Sequence, residues 1–249
     1  MPRPTVDVVI PVYNEEKDLP GSIDTLAKFL EDNLGNPWRI TIADNGSTDG
    51  TLSVAEMLSA KHPDVTCVHI PQKGRGRALR QVWLESTADI VSYMDVDLST
   101  DLVHFQQLLE AIEEGAHIAI GSRLTKGSRV TRSLKREFIS RSYSTLIKVM
   151  FLTPFRDAQC GFKAVTRSTA QALLPLVKDN GWFFDSELLI IAARHGIPIK
   201  EIPVHWEDDP DTQVRIVRTA WEDIKGLLRL RFGGIPAIPT ARPDRRGSP

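Results

Sequence analysis

The sequence predicts an α/β fold, a doubly wound and mostly parallel sheet with helices on both faces. Three observations lead there. Short apolar runs alternate with amphipathic stretches through the first half, the runs are nearly continuous as strands buried on both faces require, and several end in turn-rich polar segments. Val6 to Val12 is the first run, broken only by Asp7 and Pro11, and it closes on Pro11-Val12-Tyr13-Asn14-Glu15. From Leu19 the apolar residues Ile23, Leu26 and Leu30 follow at spacings of four, three and four, the period of a helix lying on the sheet. Arg39 to Ala43 is the second strand, and it runs into Asp44-Asn45-Gly46-Ser47-Thr48-Asp49-Gly50, a turn segment ending in a helix cap. Val65 to Ile70, Asp89 to Met94 and Ile118 to Ile120 complete five strands. Helices are expected from Gly76 to Leu84 and along the face of Leu102, Phe105, Leu108, Leu109 and Ile112.

The second half has a different texture. Ser133 to Leu152 mixes Arg136, Arg141 and Lys148 with Phe138, Ile139, Leu146, Ile147, Val149, Met150, Phe151 and Leu152. Packing against the core and contact with a lipid surface both suit such a segment. A helix from Asp185 to His195, a strand at Ile199 to Val204 and a helix from Thr219 to Leu230 complete the body. One domain is expected over residues 1–232, with residues 233–249, rich in Gly, Pro and Arg, as a flexible tail.

Composition narrows the function. The 249 residues carry 31 basic and 32 acidic side chains, a net charge of −1, so no bulk charge recommends nucleic acid as a partner. Cys67 and Cys160 are too few for a disulfide scaffold and fit a reducing compartment. Neither a signal-type leader nor a run near the ~20 apolar residues of a membrane span is evident, so a cytoplasmic chain is expected, with docking on the cytoplasmic membrane face left open.

Chemistry gathers where the strands stop. Asp44 follows one apolar run, and Asp95 and Asp97 follow another. In a parallel α/β sheet the carboxyl ends of the strands form the ligand crevice. A pair such as Asp95-Val96-Asp97 suits Mg²⁺ or Mn²⁺ held together with a substrate diphosphate, since these hard ions prefer carboxylate oxygen and keep positions open for phosphate. A nucleoside diphosphate sugar is the substrate this suggests. Lys73-Gly74-Arg75-Gly76 lets a nucleotide approach the backbone, although it is an incomplete dinucleotide fingerprint and Lys73, Arg75 and Arg77 also suit a solvated loop.

Taken in order, Pro11-Val12-Tyr13-Asn14-Glu15, Asp44 to Thr51, Lys73 to Gly76 and Asp95-Val96-Asp97 resemble the nucleotide-binding half of family 2 glycosyltransferases. The likeness continues through Gly121-Ser122-Arg123, Asp157 to Lys163, Trp182 to Leu189 and Glu201 to Trp206, which look like dolichyl-phosphate glucosyltransferases and dolichyl-phosphate mannose synthases. It spans roughly residues 6 to 230 and implies a GT-A-like fold. It also implies that Pro11, Tyr13 and Glu15 border base and ribose, that Asp44 accepts from the base imide, that Asp95 contacts ribose or the metal's hydration shell, and that Asp97 is the direct metal ligand bridging to the diphosphate. Ser99 is a further oxygen. An aromatic face and an acceptor suit uracil, while guanine also offers donors to a carboxylate. Asn45 stands where a second Asp is common.

Lys73 is assigned to the nucleotide, Arg123 to the diphosphate or the acceptor phosphate, and Arg215 to a phosphate near the last sheet motif. The implied acceptor is a polyprenyl phosphate, already anionic, so no activated serine or cysteine is needed. Asp157, Asp185 and Glu187 would surround sugar hydroxyls or orient the basic groups. Were the acceptor a neutral hydroxyl, Asp157 or Asp185 would be the first candidates for its base. A soluble-acceptor transferase and a noncatalytic sugar-nucleotide sensor are the competing readings. Cys160 is expected to pack, His205 beside Trp206 to pack or face the sugar, and the remaining histidines show no ligand spacing.

Overall fold

A computed structural model describes residues 3–207 and 216–238. The first strands arise where expected: β1 (Val6–Val12), β2 (Trp38–Asp44), β3 (Val65–His69), β4 (Ile90–Met94) and β5 (Ile118–Ser122). Between them lie α1 (Leu19–Asn33), α2 (Thr51–Lys61), α3 (Arg75–Glu85) and, after a single 3₁₀ turn, α4 (Phe105–Glu113). The second half supplies β6 (Arg129–Thr131), α5 (Leu134–Phe151), β7 (Phe162–Thr166), α6 (Arg167–Leu173), α7 (Phe184–Arg194), β8 (Ile199–Pro203), β9 (His205–Glu207) and α8 (Ile216–Gly233).

Seven strands form one sheet in the order β3-β2-β1-β4-β7-β5-β8, and β6 pairs with β9 beside it. All neighbours are parallel except those of β7, which runs antiparallel to both β4 and β5. The doubly wound, mostly parallel architecture is therefore present, with one reversed strand that the apolar pattern did not disclose. Phe162-Lys163-Ala164-Val165-Thr166 interrupts its apolar residues with a lysine, and neither β6 nor β9 is longer than three residues. Reversal has a consequence: β1 to β5 and β8 present their carboxyl ends at one edge, and β7 presents its amino end there.

Alternation along each strand divides the core into two layers. Val6, Val8, Ile10 and Val12 of β1 join α1, α2 and α4 residues on one face, whereas Val9 joins a cluster with α3, α6 and α7 on the other. Ile147 and Phe151 of α5 and Leu227 and Leu230 of α8 belong to that second cluster. The segment from Ser133 to Leu152 is thus split. Ile147 and Phe151 are core, Phe151 being only 6% exposed, while Phe138, Val149 and Leu152 face water. Among the described residues no helix is long and apolar enough to cross a membrane. Arg215 and the tail beyond position 238 lie outside the described residues.

Candidate functional site

The ends of β1, β2 and β3 build one half of the crevice. Asp44, the last residue of β2, is fully buried, and its carboxylate accepts from the Ser47 amide at 3.2 Å and pairs with His69 Nδ1 at 2.6 Å. His69 closes β3 in register with Asp44, so adjacent strand ends set the pair. Asn45 links two loops: its amide nitrogen donates to the Val12 carbonyl at 2.7 Å while its oxygen accepts from the Gly74 amide at 3.1 Å. An aspartate there would set carboxylate oxygen against that carbonyl, which accounts for asparagine in place of the commoner acid. Lys73 Nζ lies 3.2 Å from the centroid of the Tyr13 ring, a cation–π contact bringing two expected nucleotide contacts together. The Glu15 amide donates to Thr51 Oγ1 at 2.8 Å. Pro11 sits buried inside β1 opposite Ala43, short of the strand end.

Asp95 and Asp97 follow β4 in a turn whose Leu98 takes a left-handed φ of 49°. They line a small crevice with Leu98, Ser99, Thr100, Gly161 and Trp206. Asp97 is exposed, and its carboxylate accepts from the Ser99 amide at 3.0 Å. The Asp95 carboxylate rests against Gly161, where a Cβ would come within 1.7 Å of Oδ2, so any larger residue would push the carboxylate from its place. Two carboxylates and nearby hydroxyls are donors fit for a hard divalent cation.

Beneath them lies a buried ionic lattice. Arg75, at the start of α3, reaches Asp95 at 2.8 Å with one nitrogen and Asp185 at 2.6 Å with the other. Asp185, 2% exposed, also accepts from the Tyr93 hydroxyl at 2.5 Å and pairs with fully buried Lys163 at 3.0 Å. Burial opposes its charge, yet Lys163 and Arg75 outweigh that, and the Asp185 carboxyl stays below the usual carboxylate range. A second clamp closes β5. Arg123 gives Nε and Nη2 to the two oxygens of Asp157 at 2.8 and 3.0 Å, its own amide donates to the same carboxylate, and its guanidinium lies 5.3 Å from the Trp206 ring centroid. Asp157 is 1% exposed; burial pushes its carboxyl up, but Arg123 overrides this and holds it at about 2. Neither acid is poised to take a proton near neutral pH.

Glu187 and the two thiols are tied up within the fold. Glu187 is wholly buried, held by both arms of Arg229 at 2.9 Å and by the Asp179 amide. Burial raises the Cys67 thiol to about 11 and the Cys160 thiol to about 12, leaving both inert.

Sequence reasoning missed several members. Lys163 had no signal beyond its motif, and the Asp44–His69 pair depends on strand register. The Asp101, His104 and His205 ligand atoms lie within 4.8 Å of one another, although the sequence offered no metal spacing. The two halves of that cluster are about a hundred residues apart. His104 Nε2 accepts from the His205 amide, tying β9 to the turn after β4, and its Nδ1 meets Gln107 of α4, so both ring nitrogens are already engaged.

Residues 7–174 match the model for the family described as glycosyl transferase family 2. The chain is similar to glycosyltransferase AglD of Haloferax volcanii, 36% identical over 225 residues that cover 89% of this chain and 35% of the relative. It is also similar to dolichyl-phosphate beta-glucosyltransferase ALG5C of Trichomonas vaginalis, 31% identical, covering 84% of this chain and 65% of the relative. It thus spans about a third of the first relative's length and just under two thirds of the second's. Among solved structures it is similar to glucosyl-3-phosphoglycerate synthase from Mycobacterium tuberculosis in complex with uridine diphosphate, with a TM-score of 0.69, 21% identity and coverage of 94% and 82% of the two chains. At that identity the likeness speaks for the fold.

Proposed function

This chain belongs to glycosyl transferase family 2, and we propose that it moves a hexose, glucose or a close relative, from a uridine diphosphate sugar to a polyprenyl phosphate. The observation that carries this reading is the state of Asp157 and Asp185. Both are buried and ion-paired, and the Asp157 carboxyl is held at about 2. A hydroxyl acceptor needs a base whose pKa lies near the working pH, and these two are spent on fixing Arg123 and Arg75. A phosphate oxyanion arrives without a proton to lose. The dolichyl-phosphate beta-glucosyltransferase among the relatives supports the same acceptor class and sugar.

The obstacle is then charge. At about 6 Å, two unit negative charges repel by roughly 3 kcal/mol at an effective dielectric of ~20. Asp157 takes the Nε–Nη2 edge of Arg123, leaving the Nη1 edge to receive the acceptor phosphate, with the guanidinium fixed in advance over Trp206. Asp44 with His69 receives the base, and Lys73 beside Tyr13 meets the nucleotide phosphates. Asp95 and Asp97 would hold Mg²⁺ or Mn²⁺, which neutralises the departing diphosphate when bound. The acceptor oxygen attacks the anomeric carbon directly from the opposite face, an inverting displacement.

The test offers purified protein labelled UDP-glucose, UDP-N-acetylgalactosamine or GDP-mannose, with and without a polyprenyl phosphate and Mg²⁺ or Mn²⁺. Lipid-extractable label from UDP-glucose, dependent on the lipid phosphate, is expected. Transfer only to water-soluble hydroxyl compounds, or tight donor binding without any product, overturns the proposal.

A further inference from the structure

We infer that α5 and α8 together form a seat for an anionic lipid surface. The inference deepens the reading of a polyprenyl phosphate acceptor, and it rests on observations separate from the donor crevice. On α8 the exposed residues Trp221, Ile224, Leu228 and Phe232 follow at spacings of three, four and four, which at about 100° per residue sets them in one narrow stripe. Asp223, Leu227 and Leu230 occupy the opposite side and are buried. A helix serving only the core would be polar on its outer side; here Trp221 is 58% and Phe232 82% exposed. On α5, Phe138, Val149 and the C-cap Leu152 repeat the arrangement, at 73%, 71% and 85% exposed, opposite buried Ile147 and Phe151. Both helices bury their inner sides in the same cluster, so both stripes look away from it.

Charge selects the occupant. Exposed Lys148 flanks the α5 stripe, and exposed Lys225 and Arg231 flank the α8 stripe, with Lys225 Nζ 5.2 Å from the Trp221 ring centroid. Apolar side chains rimmed by cations match the boundary between acyl chains and anionic head groups. A second copy of the chain, packed through the same face, would press two basic rims together. Such a seat keeps the body at the surface where a polyprenyl phosphate presents its head group.

Flotation with vesicles of phosphatidylcholine, alone or mixed with phosphatidylglycerol, tests the seat on the full chain. Wild type is expected to float with the anionic vesicles, with a blue shift of tryptophan emission that Trp221→Phe diminishes. The double variant Trp221→Asp/Phe232→Asp should bind at least roughly tenfold more weakly, and so should Lys225→Glu/Arg231→Glu, which leaves the apolar stripe and the core untouched. Equal binding by wild type and the charge-reversed variant, no binding by either, or a wild-type dimer in light scattering that the charge-reversed variant leaves intact overturns the seat. Transfer to a short-chain, water-soluble prenyl phosphate, measured on the same variants, separates the two readings. Retained transfer without vesicle binding removes the seat alone, whereas vesicle binding without transfer removes the acceptor and leaves the seat standing.

Discussion

Asp157→Asn distinguishes a clamp from a base. In the native protein Asp157 accepts three hydrogen bonds from Arg123 and one from the Gln159 amide, and its carboxyl is held at about 2 against an ordinary 3.8. A difference of nearly two pKa units corresponds to about 2 kcal/mol favouring the ionised form in the fold. Because the native value is the lower one, that stability is present above the unfolded chain's pKa and is lost as the pH falls from about 4 through about 2. Asparagine keeps the shape but cannot give Arg123 two anionic oxygens. Urea unfolding at pH 7 should show a loss of about 2 kcal/mol, narrowing below about pH 4. In turnover, the acceptor KM should rise roughly tenfold or more, and Arg123→Lys should do the same, since an ammonium cannot reproduce the bidentate pair. The wild-type rate should show no carboxylate limb between pH 5 and 8, to order of magnitude on the pKa argument. An unchanged stability and acceptor KM, with kcat abolished and a carboxylate limb present in wild type, would refute the clamp and restore Asp157 as a base.

Other changes probe neighbouring parts of the crevice. Gly161→Ala places a methyl where Asp95 Oδ2 now sits, so calorimetry with Mn²⁺ and donor should show at least roughly tenfold weaker binding with the far-ultraviolet circular dichroism retained. Asp97→Ala removes an exposed side chain; kcat at saturating metal and donor should fall by at least roughly a hundredfold with little change in melting temperature, and a near-normal rate would discard the ligand assignment. Asp223 is buried on α8 with one oxygen taking the Gln159 amide and the other lacking a hydrogen-bond partner, and burial raises its carboxyl to about 7. The fold keeps a proton that the unfolded chain releases near 3.8, so stability falls as the pH climbs between those values. Asp223→Asn should therefore melt higher than wild type at pH 8 and gain less at pH 5; an equal difference at both would remove the titration from the account.

Much of this architecture was legible because a strand buried on both faces has little freedom in composition. Val6 to Val12 and Ile90 to Met94 admit few polar residues, and the acids at their ends stand out. Periodicity fixed α1 and α4 for the same reason. It could not resolve β7, whose Lys163 looks polar in sequence but is neutralised in place by Asp185, nor could composition divide the α5 segment between core and surface. Phe151 and Val149 are both apolar and two residues apart, yet one is buried in the core and the other faces water. The α8 stripe was readable in principle from Trp221, Ile224, Leu228 and Phe232. Its meaning waited on the structure, because Leu227 and Leu230 make the helix apolar on the other side as well.

The reversed strand explains why so many charged groups can be crowded into the floor of the crevice. Had β7 run parallel, Thr166 would stand at the crevice edge; reversed, its entry delivers Asp157, Gly161 and Lys163 there instead. Arg75, Arg123 and Lys163 then meet Asp95, Asp157 and Asp185, three cations against three carboxylates, and the assembly is near neutral before any substrate arrives. Neutrality makes burial tolerable, since an unpaired charge in such surroundings would cost several kcal/mol. It also means the floor has little net positive charge to spare for the diphosphate and acceptor phosphate of the proposed reaction. On the proposed reaction the additional positive charge would come from the rim, where Lys73 sits and where exposed Asp97, with Asp95 beside it, would hold a divalent ion. In this arrangement the buried pairs would set geometry, and the exposed rim would carry the charge that the proposed reaction demands.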